Sequence, residues 1–313
     1  QYNPVSKELI VYRDIRLEVS FEGGNGQFGD NRYRSRWFDP ILQDRLLNYS
    51  SLPEMDYSTL GGSKDDGFEY VIITPDNPVF TAWADTLRRF RNMQGISTGI
   101  YTISEVGGNN ISTIEDFINN AYNTWTVPPL AFLIMADYGA SGDGILSPIW
   151  NYYCVSDHIF GDVNDNGMAD VIMARMTAQN ETHLQNMIGK IIEYETNPPT
   201  YESYYNPITA LGWQTERWFQ ICSETVGGYF KNVKGRDPVR INEIYGGNPS
   251  TDPWSTATNT YTILQVFGPG GLGYIPASPS ELGNWSGGTA SDINNAINAG
   301  AFILQHRDHG YEQ

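Results

Sequence analysis

The residues best placed to do chemistry stand at the end of the sequence, where the apolar run 301–304 leads into Gln305-His306-Arg307-Asp308-His309-Gly310. Imidazole takes and returns a proton near neutral pH, and a histidine just after a buried strand sits at the rim of a sheet, where a general base belongs. Gly310 would let a substrate backbone approach closely. Spacing alone equally allows His306 and His309 to be ordinary loop histidines. A second group, Asp162-Val-Asn164-Asp-Asn166-Gly167-Met-Ala-Asp170, puts side-chain oxygens at loop positions 1, 3, 5 and 9 with Gly at 6, the pattern of an EF-hand-type Ca²⁺ loop. Position 12 is Met173, so the bidentate Glu is missing and a structural Ca²⁺ would need further ligands from elsewhere. A solvated acidic turn is the alternative. The two cysteines, Cys154 and Cys222, can form one disulfide or remain two buried free thiols. Cys222, among Phe219, Ile221 and Val226, reads as helix packing, and Cys154 as a structural residue of a Tyr-rich strand.

Positioning such groups requires a scaffold, and from residue 68 onward the sequence alternates strand-like and helix-like segments. Strands are expected at 70–74, 98–103, 131–135, 150–155, 171–174, 208–212, 240–244 and 301–304. Helices are expected at 80–93, at 114–125 behind a Ser112/Thr113 cap, and at 181–194, 216–230 and 290–299. Such alternation predicts a mostly parallel sheet flanked by helices, with ligands at the carboxyl ends of the strands, where loops such as 137–143 emerge. Residues 268–288, rich in Gly, Pro and Ser, read as a long surface loop. Ahead of this grammar, residues 9–21 alternate apolar and polar as a β arm does. Residues 23–30 are turn-rich, and residues 47–67 are aperiodic, so a domain boundary falls there.

Acidic residues outnumber basic ones 36 to 19, giving a net charge of −17, which argues against a nucleic-acid partner. No apolar run is long enough to cross a bilayer as a helix, and the first residues lack the pattern of a signal peptide. A start at Gln1 and an end just after a His-Gly pair read as cuts within a longer protein. Few lysines, many Asn, Gly and Tyr, and sequons such as Asn48-Tyr-Ser50 and Asn180-Glu-Thr182 suit an exported bacterial protein, extracellular or on the cell surface.

Asn298-Ala-Gly300, a strand, and then His309-Gly310 resemble the Asn-Gly-Gly, strand and His-Gly pattern of the gingipain-like cysteine peptidases. Upstream, Met135-Ala-Asp137, Tyr153-Cys-Val-Ser156-Asp157, Asp170, Ala174-Arg175 and Lys190 to Tyr194-Glu195 resemble further segments of that family. Tyr2-Asn3-Pro4 resembles the end of its N-terminal prodomain. The resemblance implies an α/β, caspase-like three-layer sandwich with a mostly parallel sheet, preceded by a short β segment of the prodomain. Residues 1–62 would be prodomain end and linker, and 63–313 an incomplete catalytic domain. His309 would be the catalytic histidine, with the oxyanion held near Gly310. The orienting acid would come from the loop after the 208–212 strand, where Glu216 is the better carboxylate candidate, Gln214 lies nearby and Asp308 is a rival. Ala174 for the family's Gly, and Asp308 for its small residue, are departures. The family's nucleophilic cysteine lies on the strand after the histidine, beyond Gln313, so it would come from the rest of the polypeptide or a second processed chain. Family specificity for basic residues uses an acid where this chain reads Arg217-Trp218, a guanidinium that disfavours Arg or Lys at P1.

The leading expectation is therefore an endopeptidase acting on protein or peptide substrates. A catalytically inactive caspase-like module with a structural or adhesive role is the alternative. A third reading, a carbohydrate-binding or calcium-adhesion module, leans on Trp254 and Trp285 being exposed.

Overall fold

The computed structural model describes residues 2–9, 11, 13, 16, 31–57, 63, 64, 66–200, 204–285 and 287–309. They fall into two units, residues 1–192 and 193–313. In the first, β1 (Tyr2–Asn3) and β2 (Glu8–Leu9) form a small antiparallel hairpin. Most of the expected 9–21 arm, and all of the turn-rich 23–30, lie outside the described residues. The 31–57 segment, part of it expected to be aperiodic, holds α1 (Asp39–Arg45) and two 3₁₀ turns, Asn31–Tyr33 and Tyr49–Ser51. It is tied down by Arg36, whose guanidinium binds Glu69 at 2.8 and 3.0 Å, and by Arg32, which donates to the carbonyls of Tyr122 and Trp125.

Unit 1 is built on β3 (Tyr70–Thr74), α2 (Pro78–Met93), β4 (Thr98–Thr102), α3 (Ile103–Val106), α4 (Ile111–Thr124), β5 (Ala131–Ile134), a hairpin of β6 (Ile149–Trp150) and β7 (Cys154–Val155), β8 (Ile172–Arg175) and α5 (Glu181–Thr196). The four longer strands form a parallel sheet in the order β4-β3-β5-β8. β3 is buried on both faces, as its β-branched sequence YVIIT requires. Val71 and Ile73 pack with Ile114 and Ile118 of α4, while Ile72 faces Phe80 and Leu87 of α2 and Ile188 of α5. Each such side chain contributes about 1.5–3 kcal/mol of burial. α2 starts where Asn77 caps the Val79 amide and Pro78 takes the first turn. α4 is capped by Asn110; Ser112 and Thr113 lie inside its first turn. The expected 150–155 strand is instead the β6–β7 hairpin, because Asn151 and Tyr152 take positive φ and reverse the chain. Cys154 is exposed there and Cys222 is half-buried, and both are free, which corrects both the disulfide and the two-buried-thiols expectations.

Unit 2 contains β9 (Pro207–Gln214), α6 (Phe219–Lys234), β10 (Val239–Gly246), α7 (Thr260–Phe267), α8 (Pro279–Leu282), α9 (Ala290–Asn298) and β11 (Ile303–Arg307). Its parallel sheet runs β10-β9-β11. Leu211 and Trp213 pack toward Ile221 of α6, and Ile208 and Ala210 pack toward Ile293 and Ala296 of α9. Each unit is thus an α/β three-layer arrangement with a parallel sheet at its centre. α8 interrupts the expected 268–288 loop, and α7 is an element the sequence pattern did not reveal. Trp254 is 1% exposed, and Trp285 packs on the same core, which removes the exposed-tryptophan basis of the adhesion reading.

Candidate active site

In unit 2 the register places Arg307 of β11 beside Leu211 of β9, so the two chains leave the sheet side by side at its carboxyl edge. Gln214 ends β9, and His309 follows β11 by two residues; their side chains meet with His309 Nε2 2.8 Å from Gln214 Oε1. The Gln214 amide nitrogen donates to Glu216. That commitment leaves Oε1 as acceptor, assigns the proton to His309 Nε2, and leaves the Nδ1 lone pair as the basic position. The Phe219 ring stands edge-on to the imidazole at 5.0 Å and fixes its plane. His306, by contrast, lies within β11 rather than in a loop. Glu216, expected to orient the base, is exposed and reaches the imidazole only through Gln214.

Asp308 turns the other way. Its Oδ1 accepts the His309 backbone N–H at 2.7 Å and the Tyr245 hydroxyl, so it shapes the turn without touching the imidazole. Burial and then the hydrogen bond to Asp308 push the Tyr245 phenol well above its ordinary range. Only glycine fits beneath: a Cβ on Gly212 would collide with the Asp308 carboxylate and stand 2.5 Å from the Tyr245 ring.

The 214–218 loop is pinned from inside. Gln220 is fully buried, and its amide nitrogen donates to the carbonyls of Gln214, Arg217 and Trp254 at 3.2, 3.0 and 2.6 Å. Thr215 bonds to the Gly246 carbonyl and to Asp252, and its own carbonyl accepts from Thr256. These bonds delay the start of α6 from the expected residue 216 to Phe219. Gly310 lies outside the described residues. Cys222, partly buried on α6, packs against the Leu211 and Trp213 core, and Cys154 belongs to unit 1.

Also in unit 1, Asp162 accepts the amides of Asn166 and Gly167 at 2.9 and 2.7 Å, and Asn164 bonds to Asp170 at 2.8 Å. The loop therefore wraps around Asp162 and brings 164 to 170, with Asn166 turned to the Met168 amide. Among the described residues no three His, Cys, Asp or Glu side chains gather as a metal set, so any ion would depend on the two asparagines and on backbone oxygens. The Ser156-Asp157 and Ala174-Arg175 segments meet through a half-buried ion pair between Asp157 and Arg175. Arg175 donates to both Asp157 oxygens at 2.8 Å, to Ser147, and to the carbonyls of Ala136, Asp137 and Ile145.

A model of Peptidase family C25 matches residues 63–313. The chain belongs to this family. Gingipain R2 of Porphyromonas gingivalis, in two strains, is 23% identical over 213 residues, covering 65% of this chain. The chain spans 27% of the length of these curated relatives. A crystal structure of the Arg-specific cysteine proteinase gingipain R is 17% identical with a TM-score of 0.48, covering 60% of this chain and 43% of that one. A complex of the Porphyromonas gingivalis RgpB pro- and mature domains is 14% identical with a TM-score of 0.48, covering 58% and 43%. Among the described residues no helix is long and apolar enough to cross a membrane.

Proposed function

We propose that this C25 chain carries the histidine half of a cysteine endopeptidase site, with His309 as general base and acid. The observation that supports it is the His309 ring, held through Nε2 by Gln214 and edge-on by Phe219, with Nδ1 left basic at the carboxyl rim of a parallel sheet. The nucleophile would be a cysteine on a strand added to the outer edge of β11, supplied by the rest of the polypeptide or a second processed chain. At that edge Phe302, Ile303 and Leu304 are each about 40% exposed, a surface that a further strand would cover.

In the reaction the His309 Nδ1 lone pair would first take the proton of the cysteine thiol; the thiolate then forms a bond to the scissile carbonyl carbon, and backbone amides near Gly310 hold the oxyanion. His309 gives its Nδ1 proton to the departing amine. It then takes a proton from water, whose oxygen attacks the acyl-enzyme and releases the thiolate. Gln214 fixes ring and tautomer as a neutral group, and Glu216 holds Gln214. A neutral partner stabilises imidazolium less than a carboxylate does, which favours, as a second reading, an inactive module with a structural or adhesive role.

The proposal includes an extracellular or cell-surface site of action and protein or peptide substrates. It treats 1–62 as the end of a prodomain plus linker and 63–313 as catalytic domain; the Arg36–Glu69 pair supports a bracing role for the first segment. It keeps a structural Ca²⁺ at Asp162, Asn164, Asn166 and Asp170, tested by whether chelation lowers the melting temperature. The peptidase reading is tested by incubating the natural protein with a peptide library before and after thiol alkylation. Hydrolysis abolished by alkylation supports it; a protein that cleaves nothing takes the scaffold reading instead.

A further inference from the structure

One apolar arm of unit 1 packs against nothing in the chain's own cores. No charged residue stands between Asp143 and Asp157, and the β6–β7 hairpin lies within that run. Every residue from 149 to 155 is exposed; Trp150 is 62% exposed, Tyr153 87%, and Tyr152 fully. None of them joins a core cluster among the described residues. The arm is nonetheless held firmly at its base. Arg175 bonds to Ser147 and Asp157, which bracket it, and the Ser156 amide donates to the Pro148 carbonyl at 2.9 Å. At its tip Asn151 and Tyr152 take φ of 52° and 59°. Asparagine enters that left-handed region readily, whereas a bulky side chain is strained there. A fully exposed Tyr152 returns no packing to offset the strain, which points to a contact made outside the fold.

We propose that the β6–β7 hairpin is a self-association surface, its occupant a second copy of this chain related by a two-fold axis. Among the described residues β6 and β7 pair only with each other, so each has an open edge. Two copies meeting edge to edge in antiparallel fashion pair those open backbone groups and lay like rings together, an isologous contact. Area fits this occupant. Three rings supply about 450–750 Å² per copy, and the exposed Ile149 and Val155 bring the patch close to the ~800 Å² per partner of a stable interface. Charge selects the same place. A chain of net charge −17 repels its own copy, and the repulsion is least where charge is absent; Asp157, the acid that closes the run, is neutralised by Arg175. The arm offers no charge of its own that would recognise a charged partner instead.

The test follows the 313-residue chain by sedimentation velocity from submicromolar to millimolar concentration. A monomer–dimer equilibrium with a dissociation constant in the micromolar range is expected, tighter at high salt, where the self-repulsion is screened. Trp150→Ser/Tyr153→Ser should raise that constant about tenfold or more. Tyr152→Gly separates the contact from the fold. It should weaken the dimer several-fold while the melting temperature of the dilute, monomeric chain stays at or above the parent's, because glycine takes positive φ without strain. Alkylation supplies a footprint: Cys154 on β7 should react more slowly as concentration rises through the dissociation constant, while the half-buried Cys222 keeps its rate. A chain that stays monomeric throughout, a dimer that the hairpin variants leave unchanged, or one that salt dissociates would overturn the proposal. So would a lower melting temperature in Tyr152→Gly, which would make the ring a part of the fold.

Discussion

Replacing Arg175 by methionine tests whether the Asp157–Arg175 pair holds unit 1 together. The Arg175 and Asp157 side chains are 8% and 18% exposed, respectively, and the guanidinium satisfies both carboxylate oxygens, Ser147 and three carbonyls of the 136–145 loop. Methionine keeps much of the volume but strands a largely buried carboxylate, a change that typically costs about 3–5 kcal/mol. At about 2–4 °C per kcal/mol for a unit of this size, the melting temperature should fall by about 6–20 °C. The pH dependence gives a second readout. Burial pulls the Asp157 carboxyl upward, but hydrogen bonds from Arg175 and Ser147 and the Arg175 charge outweigh it and hold the group below its ordinary value. A depressed folded-state pKa contributes stability above the unfolded value, about 3.9, and loses it as pH falls through the folded value. In Arg175→Met the unpaired carboxyl gains by protonation, so the gap between variant and parent should be widest at neutral pH and narrow toward pH 4. Urea unfolding at both pH values measures it. A loss under about 1 kcal/mol, or a gap that does not change with pH, would refute the reasoning.

Gly212→Ala should force apart Asp308 and Tyr245, costing about 1–3 kcal/mol and shifting the His309 ring signals in NMR spectra; unchanged signals would show that the turn does not depend on this contact. Glu69→Leu should leave Arg36, the Trp37 indole N–H and the Ser97 amide without their shared acceptor, costing about 2 kcal/mol, and limited proteolysis should then begin within residues 31–57. Chelation should lower the melting temperature of the parent, and Asp162→Asn/Asp170→Asn should lose that response; an identical response in both would remove the ion from this loop.

Local pattern revealed the sheet better than the site. The apolar, β-branched run at 70–74 and the 207–213 stretch of β9, buried throughout, announce strands, because burial on both faces of a parallel sheet demands an apolar run. The place of His309 just beyond a strand was legible for the same reason: it follows an apolar run. The partner of the imidazole was not, because Gln214 lies 95 residues away in sequence and reaches it only through the β9–β11 pairing. Glu216 drew attention as the carboxylate, but Gln220, by holding the carbonyls of Gln214 and Arg217, keeps 214–218 as a loop and turns Gln214 inward. The 149–155 segment misleads in the opposite way: its composition is that of a core strand, while positive φ at two residues folds it into an exposed hairpin. The family resemblance came from separated segments, two of which meet in the Asp157–Arg175 contact only in three dimensions.

The most direct measurement of the central claim is peptide hydrolysis by the natural protein and by its His309→Ala variant, with circular dichroism recorded on both. The account predicts a kcat/KM lower by about a thousandfold in a variant that keeps the parent's fold. Hydrolysis within a few-fold of the parent would contradict it, because a reaction that uses His309 as base and acid cannot keep its rate without the imidazole.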